Sequence, residues 1–191
     1  MKLGDLLEAR MDTIVERWGD VVLSAYPPDS AALFRAQQDP FANPLGHSVR
    51  KGTNGVLRAM LNDADGEELQ SHLDEIIRIR AVQQLTPAEA LAFVFSLRSI
   101  VRDVVPEAEA DPRYRGDLAE MDRKIDEVAL SAFEIYAARR EEVSELRIKE
   151  VKRQVSWVMG KMNQQDEGPE EPTEDSNTKT STYENVQRED L

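Results

Sequence analysis

Apolar side chains recur at intervals of three and four residues along most of this chain, which is the pattern of amphipathic helices. The first segment of this kind runs from Leu3 to about Ala25 and predicts one helix. Pro27 and Pro28 end it, because the first proline disfavours helix at the residue before it and neither can donate a backbone hydrogen bond. The same spacing predicts further helices over about residues 30–36, 46–61, 67–84 and 87–105, followed by a loop over residues 107–116.

Two local signals refine this picture. The run Thr86-Pro87-Ala88-Glu89 combines an N-cap threonine, a proline at the first helical position and a glutamate at the third, which is the capping-box pattern. Gly52 and Gly55 fall in the middle of the helix predicted over residues 46–61. We expect them to permit close packing against a neighbouring helix, in preference to forming a functional hinge.

One long helical pattern extends from about Asp117 to Met162. Up to Tyr136 its apolar stripe is wide enough to lie against a globular core, and from Ala137 to Lys149 charged residues dominate. Beyond that point the apolar positions narrow to a seam with 4-3-4 spacing, typical of a coiled coil. Two interpretations remain open: a solvated extension that frays, or a segment that pairs with a second copy or docks on a partner. The seam residues are Val151, Val155, Val158 and Met162.

The composition favours helix throughout. Of 191 residues only 9 are glycine and 9 are proline, and no cysteine is present. An all-α fold follows, and disulfides, thiolate metal sites and cysteine nucleophiles are excluded. No apolar stretch is long enough to span a membrane, and acids interrupt the apolar pattern near residue 1, unlike a signal peptide. We therefore expect a cytoplasmic protein with no membrane contact.

The net charge of −13 is unevenly distributed. Residues 163–191 hold nine acids and two bases but only three apolar side chains, too few to offset the entropy cost of ordering them. We expect a disordered acidic tail over 163–191, a helical domain over 1–140 and a coiled-coil-like extension over 141–162. Since no basic face lies along the predicted helices, we expect no nucleic-acid partner.

Catalytic constellations are missing from the sequence. It has two histidines, His47 and His72, and none of the usual nucleophile, phosphate-loop or zinc motifs. His72 lies at the edge of an apolar stripe, where a satisfied boundary residue is commoner than a haem or metal ligand. For His47 a helix cap is favoured over a place in a pocket. We expect that the protein is not an enzyme and that it binds no metal and no cofactor.

Arg80 is the charged residue that the helical pattern places on the core side of its helix. On the helix predicted over 67–84 it shares the apolar stripe with Leu73 and Ile76, whereas Arg78 points to the opposite side. An arginine facing the core needs a partner, and Asp122 and Asp126 are the candidates. One interpretation is that its head group reaches water. The other is a small pocket that binds a carboxylate or another anion, formed by Asn43, Arg80, Gln83 and Asp126.

Five groups of residues form a recognisable series along the chain. They are Trp18 with Ala25-Tyr26-Pro27, the run from Phe41 to Gly46, the run from Leu73 to Gln83, the run from Phe93 to Arg98, and Ile125-Asp126 with the run from Ala132 to Tyr136. In this order they resemble the N-terminal sensory domain of RsbR/RsbRD-type RsbT co-antagonist proteins. The resemblance covers about residues 3–150.

This resemblance implies a globin-like helical bundle that binds no haem, forms a dimer, and leads through its last helix toward the STAS domain of a stressosome protein. Here Met162 is followed by the acidic tail, so we expect a stand-alone module. The favoured interpretation is a non-enzymatic sensory and regulatory domain, homodimeric, that responds to a small ligand or a regulatory protein partner. The alternatives are a constitutive adaptor that docks by its C-terminal helix, and a haem-binding globin.

Overall fold

The computed structural model describes residues 2–37, 39–83 and 85–166, without the side chains of residues 160 and 163–166. No strand occurs among these residues, and the predicted all-α fold is confirmed; the globin-like arrangement of the helices stays a prediction. In chain order the elements are α1 Leu3–Ala9, α2 Met11–Leu23, α3 Pro28–Ala36, α4 Pro44–Leu61, α5 Gly66–Ala81, α6 Pro87–Val104, α7 Pro106–Ala110, a 3-10 turn Pro112–Tyr114, and α8 Arg115–Asp166.

The chain divides into two units, Met1–Ile148 and Lys149–Leu191. The predicted boundaries at residues 140 and 162 stay a prediction, although α8 ends at Asp166 rather than at about Met162. Residues 167–191, most of the predicted acidic tail, lie outside the described part of the chain.

The prediction of one helix from Leu3 to Ala25 is wrong, because the helix breaks at Arg10. The backbone of Arg10 leaves the helical region (φ −120°, ψ 17°), and its N–H bonds the Leu7 carbonyl at 3.1 Å, three residues back. Its side chain pairs with Glu107 at 2.5 Å. Leu7 on α1 and Ile14 on α2, on either side of the break, both lie in the core, where neither is more than 1% exposed.

The loop predicted after Pro106 is also wrong in part. Pro106 occupies the first position of α7, where its missing N–H costs nothing, and residues 112–114 form the 3-10 turn. By contrast, the capping box at Thr86 is confirmed. The Thr86 hydroxyl accepts from the Glu89 N–H at 3.3 Å, and the Glu89 carboxylate accepts from the Thr86 N–H at 2.8 Å.

The core of the first unit is built from the apolar stripes of α1, α2, α4, α5, α6 and the first half of α8. Trp18 of α2 is completely buried, and its ring lies against Phe93 of α6. Its indole N–H bonds the Phe93 carbonyl at 2.7 Å, so its single polar group is satisfied inside the core. This bond fixes α2 against α6 next to the candidate site.

The two glycines of α4 confirm the close-packing interpretation. A Cβ on Gly52 would lie 2.6 Å from Ile76 Cγ1 and 3.1 Å from the His72 carbonyl oxygen, both on α5. A Cβ on Gly55 would lie 2.3 Å from the His72 ring. Real carbon contacts are longer than this, so α4 and α5 can approach this closely only because both positions lack a side chain.

Candidate functional site

Arg80 lies inside the first unit, only 4% exposed. Its Nε donates to the Ala90 carbonyl at 2.7 Å, its Nη2 to the Glu89 carbonyl at 2.8 Å and its Nη1 to the Val22 carbonyl at 2.9 Å. The guanidinium carbon also stands 5.4 Å from the Phe93 ring centroid. Arg80 therefore joins α5 to α2 and α6, and its head group does not reach water.

The expectation that Asp122 or Asp126 neutralises Arg80 is wrong. Asp122 pairs with Arg102 at 2.6 Å, and Asp126 pairs with Arg98. The charge of Arg80 is met by backbone dipoles instead. Val22 lies in the last turn of α2, where helix carbonyls lack intrahelical partners and carry partial negative charge. Burial lowers the pKa of Arg80, and an arginine stays protonated after such a shift.

Gln83 and Tyr26 lie beside Arg80, and these three side chains form a polar cluster. The Gln83 Oε1 atom is buried and accepts no hydrogen bond within the described residues. Burial raises the pKa of Tyr26, while hydrogen bonding to Gln83 and the charge of Arg80 partly offset that rise. A buried acceptor without a donor costs about 1–3 kcal/mol. Gln83 is therefore a position where a ligand's hydrogen-bond donor would relieve an existing cost.

The other two predicted pocket residues have different roles. Asn43 caps α4: its Oδ1 accepts from the Gly46 N–H at 2.9 Å, and its Nδ2 donates to the carbonyls of Phe34 and Gln37 at 2.6 and 2.7 Å. Asp126 is exposed and bonds Arg98. Arg80 and Gln83 are thus neighbours around Tyr26, whereas Asn43 and Asp126 are each engaged by other residues.

The two histidines lie on neighbouring helices. His47 is exposed in the first turn of α4 and does not cap that helix, because Asn43 does; the favoured cap for His47 is wrong. His72 of α5 is half-buried against Gly55, with its Nε2 3.9 Å from the Glu68 carboxylate. Both histidines line an open groove between α4 and α5.

Hydrogen bonds within the first unit join α8 to the part of the chain that carries the polar cluster of Tyr26, Arg80 and Gln83. Arg139 of α8 donates through Nε and Nη2 to the two carboxylate oxygens of Asp74, each at 2.8 Å, and Arg140 donates to the Ala81 carbonyl at 3.2 Å. The Tyr136 hydroxyl bonds the Leu85 carbonyl at 3.3 Å. The last turn of α5 and the segment after it therefore contact α8 directly.

The seam predicted near the end of α8 lies in the second unit, and its side chains are exposed. Val155 is 52% exposed and Met162 61%, and Val151 and Val158 have similar values. Trp157 and Met159 are exposed on the same segment. An exposed apolar stripe on a helix is typical of a surface that another helix covers.

The described residues contain no group of three or more histidine, aspartate or glutamate side chains placed to hold a metal ion. Nor is any helix in this part of the chain both long and apolar enough to cross a membrane.

Comparison with known proteins gives one informative match. The family model for the RsbT co-antagonist protein rsbRD N-terminal domain matches residues 12–151. No curated protein and no solved structure matches the chain. The matched span contains Arg80 and Gln83, and it ends at the first residue of the seam, Val151.

Proposed function

The chain belongs to the family of RsbT co-antagonist protein rsbRD N-terminal domains, and we propose that it is a non-enzymatic sensory and regulatory module that acts through contacts with other proteins. The observation that carries this proposal is the exposed apolar seam at the end of α8. A helical module whose core is complete has no structural need for such a seam.

The occupant that we propose for the seam is the same helix of a second copy. The four seam residues follow the a/d spacing of a coiled coil, with Val155 and Met162 at a positions and Val151 and Val158 at d positions. Val155 is a β-branched residue of the kind favoured at a positions of two-stranded coiled coils. Pairing two copies would bury these side chains, at roughly 0.8 kcal/mol for each CH₂ group removed from water. The module is then a homodimer.

The signal that we propose for this module is a small ligand that binds at the polar cluster of Tyr26, Arg80 and Gln83. The orphan acceptor Gln83 Oε1 supports a ligand that donates a hydrogen bond there. The hydrogen bonds of Tyr136 with Leu85 and of Arg140 with Ala81 support a mechanical route from this polar cluster into α8. A ligand shifts the balance between two states only if it binds them with different affinities.

We expect Val155→Glu to abolish self-association of the full chain. Two copies would bring two carboxylates together at the centre of an apolar seam, and burying unpaired charges costs several kcal/mol. Sedimentation velocity over a concentration series measures the effect: the unaltered chain should sediment as a dimer of the 21.6 kDa polypeptide, and the variant as a monomer.

Ser156→Glu is the matched control, because it adds the same charge to the adjacent exposed position on the far side of the helix. It should leave the dimer intact. If the unaltered chain is monomeric at every concentration, or if both variants dissociate equally, the seam does not pair two copies.

We expect Gln83→Met to raise the free energy of unfolding by up to about 1 kcal/mol, because it removes a buried acceptor that has no donor. Chemical denaturation measures the change. Gln70→Met, on the exposed face of α5, should stay within about 0.5 kcal/mol of the unaltered chain. A loss of about 1 kcal/mol or more, the size of one hydrogen bond, would show that Gln83 serves the fold and not a ligand.

A second candidate function is that of an adaptor that docks by the same seam on a different protein. Basic residues flanking the seam favour it, since the segment 149–162 carries four bases and one acid in a chain that is strongly acidic. This surface would suit an acidic partner helix. A monomeric unaltered chain that loses a partner on Val155→Glu but not on Ser156→Glu would favour the adaptor over the homodimer.

A further inference from the structure

The groove between α4 and α5 concentrates positive charge in an acidic chain. Helix α4 carries Arg50, Lys51 and Arg58 and no acid, although the whole chain has a net charge of −13. All three bases line the groove, together with His47 and His72, and Glu68 is the single acid among the lining residues.

The floor of the groove depends on the close approach of the two helices. Gly55 is part of the lining, and the imidazole of His72 lies directly over it. Its side chain remains 26% exposed, so it is accessible from the groove. The groove has a volume of about 390 Å³, which is in the range of small-molecule sites.

The donors of the groove are only partly used by the protein. Among the described residues, Arg58 makes a single hydrogen bond, from Nε to Asn54 Oδ1 at 2.7 Å. Arg50 makes one, from Nη2 to the Gln37 carbonyl at 3.3 Å. Each guanidinium has five N–H donors in a planar fork that matches the oxygens of phosphate. Lys51 is engaged by Glu75 at 2.7 Å and adds charge more than free donors.

From these observations we infer that the α4–α5 groove is a binding site for a small molecule that carries a phosphate dianion. Glu75 offsets the charge of Lys51, so the guanidinium groups of Arg50 and Arg58, which make no ion pair among the described residues, supply the positive charge that attracts a dianion. Bidentate contacts from Arg50 and Arg58 fit phosphate oxygens, and His47 and His72 supply further donors. This groove is separate from the polar cluster of Tyr26, Arg80 and Gln83. The inference goes beyond the proposed function, because it does not depend on whether the seam forms a dimer.

The test is a titration of the full chain, followed by the backbone amide resonances of Gly52 and Gly55, with three probes: inorganic phosphate, phenyl phosphate and succinate. We expect at least one phosphate probe to saturate with a Kd below about 1 mM at roughly 0.15 M salt. The two phosphate probes distinguish a free anion from a phosphate ester. Succinate should bind at least about tenfold more weakly.

Two substitutions with the same charge change localise the effect. Arg58→Gln should weaken binding of the phosphate probe about tenfold or more, because it removes one of the two guanidinium groups with unused donors. Arg17→Gln, on the exposed face of α2 outside the groove, should leave binding unchanged. The inference is overturned by absence of saturation up to about 10 mM phosphate probe, by equal binding of succinate, or by equal weakening in both variants.

Discussion

Replacing Arg80 by methionine is expected to lower the free energy of unfolding by about 3 kcal/mol, since hydrogen bonds from a buried charged group are worth about 1.5–3 kcal/mol each and are not additive. Methionine fills much of the same space, so the loss reports the three bonds to the carbonyls of Val22, Glu89 and Ala90. The bond to Val22 matters most, because the carbonyls in the last turn of α2 lack helical partners.

Arg78→Met is the matched control for this prediction. Arg78 is two residues away on the same helix, is exposed, and pairs with Glu75 at 3.2 Å. Exposed pairs of this kind contribute less than about 1 kcal/mol. Chemical denaturation of both variants gives the comparison. Equal losses in the two, or a loss at Arg80 within about 0.5 kcal/mol of zero, would contradict the role assigned to the buried guanidinium.

The second large effect concerns alanine substitutions at two buried helical glycines, which should have opposite signs. Gly52→Ala should lower the free energy of unfolding by about 1–3 kcal/mol, because its methyl group would overlap Ile76 and approach the backbone of α5. Gly19→Ala should raise it by about 0.5–1 kcal/mol. Its methyl would lie 3.7 Å from Val49, an ordinary contact, and alanine is the better helix former.

Thermal and chemical denaturation of both glycine variants measure these signs. The pair is informative because the change in helix propensity is the same and only the space differs. Stabilisation by both alanines would mean that α4 and α5 are not in close contact at Gly52. Destabilisation by both would mean that the α2–α4 interface is tighter at Gly19 than the 3.7 Å contact with Val49 indicates.

Local signals in the sequence predicted most of the helices correctly. The Thr86 capping box works over three residues and needs no tertiary contact, so its position could be predicted without knowledge of the fold. The α4 cap had a signal of the same kind: Asn43 precedes Pro44, and asparagine before a first-turn proline is a typical helix start. That signal would have assigned Asn43 to the fold and not to a pocket.

The break at Arg10 and the partners of Arg80 could not be predicted in the same way. At the break the Arg10 side chain pairs with Glu107, 97 positions along the chain, and no local signal near Arg10 indicates this partner. Arg80 bonds backbone carbonyls, which every residue has, so the sequence carries no signal for which of them it meets. The stripe position of Arg80 correctly indicated that this residue faces the core, but the favoured interpretation, a head group that reaches water, is wrong, and its acceptors were missed.

The central claim, that the seam of α8 pairs with the same seam in a second copy, has a direct test because the chain contains no cysteine. A single cysteine introduced as Val155→Cys should form an intermolecular disulfide under mild oxidation, because equivalent a/d positions face each other across a parallel pair of helices. Ser156→Cys, on the far side of the helix, should stay monomeric on a denaturing, non-reducing gel. Equal crosslinking at both positions, or crosslinking at neither, would contradict the claim.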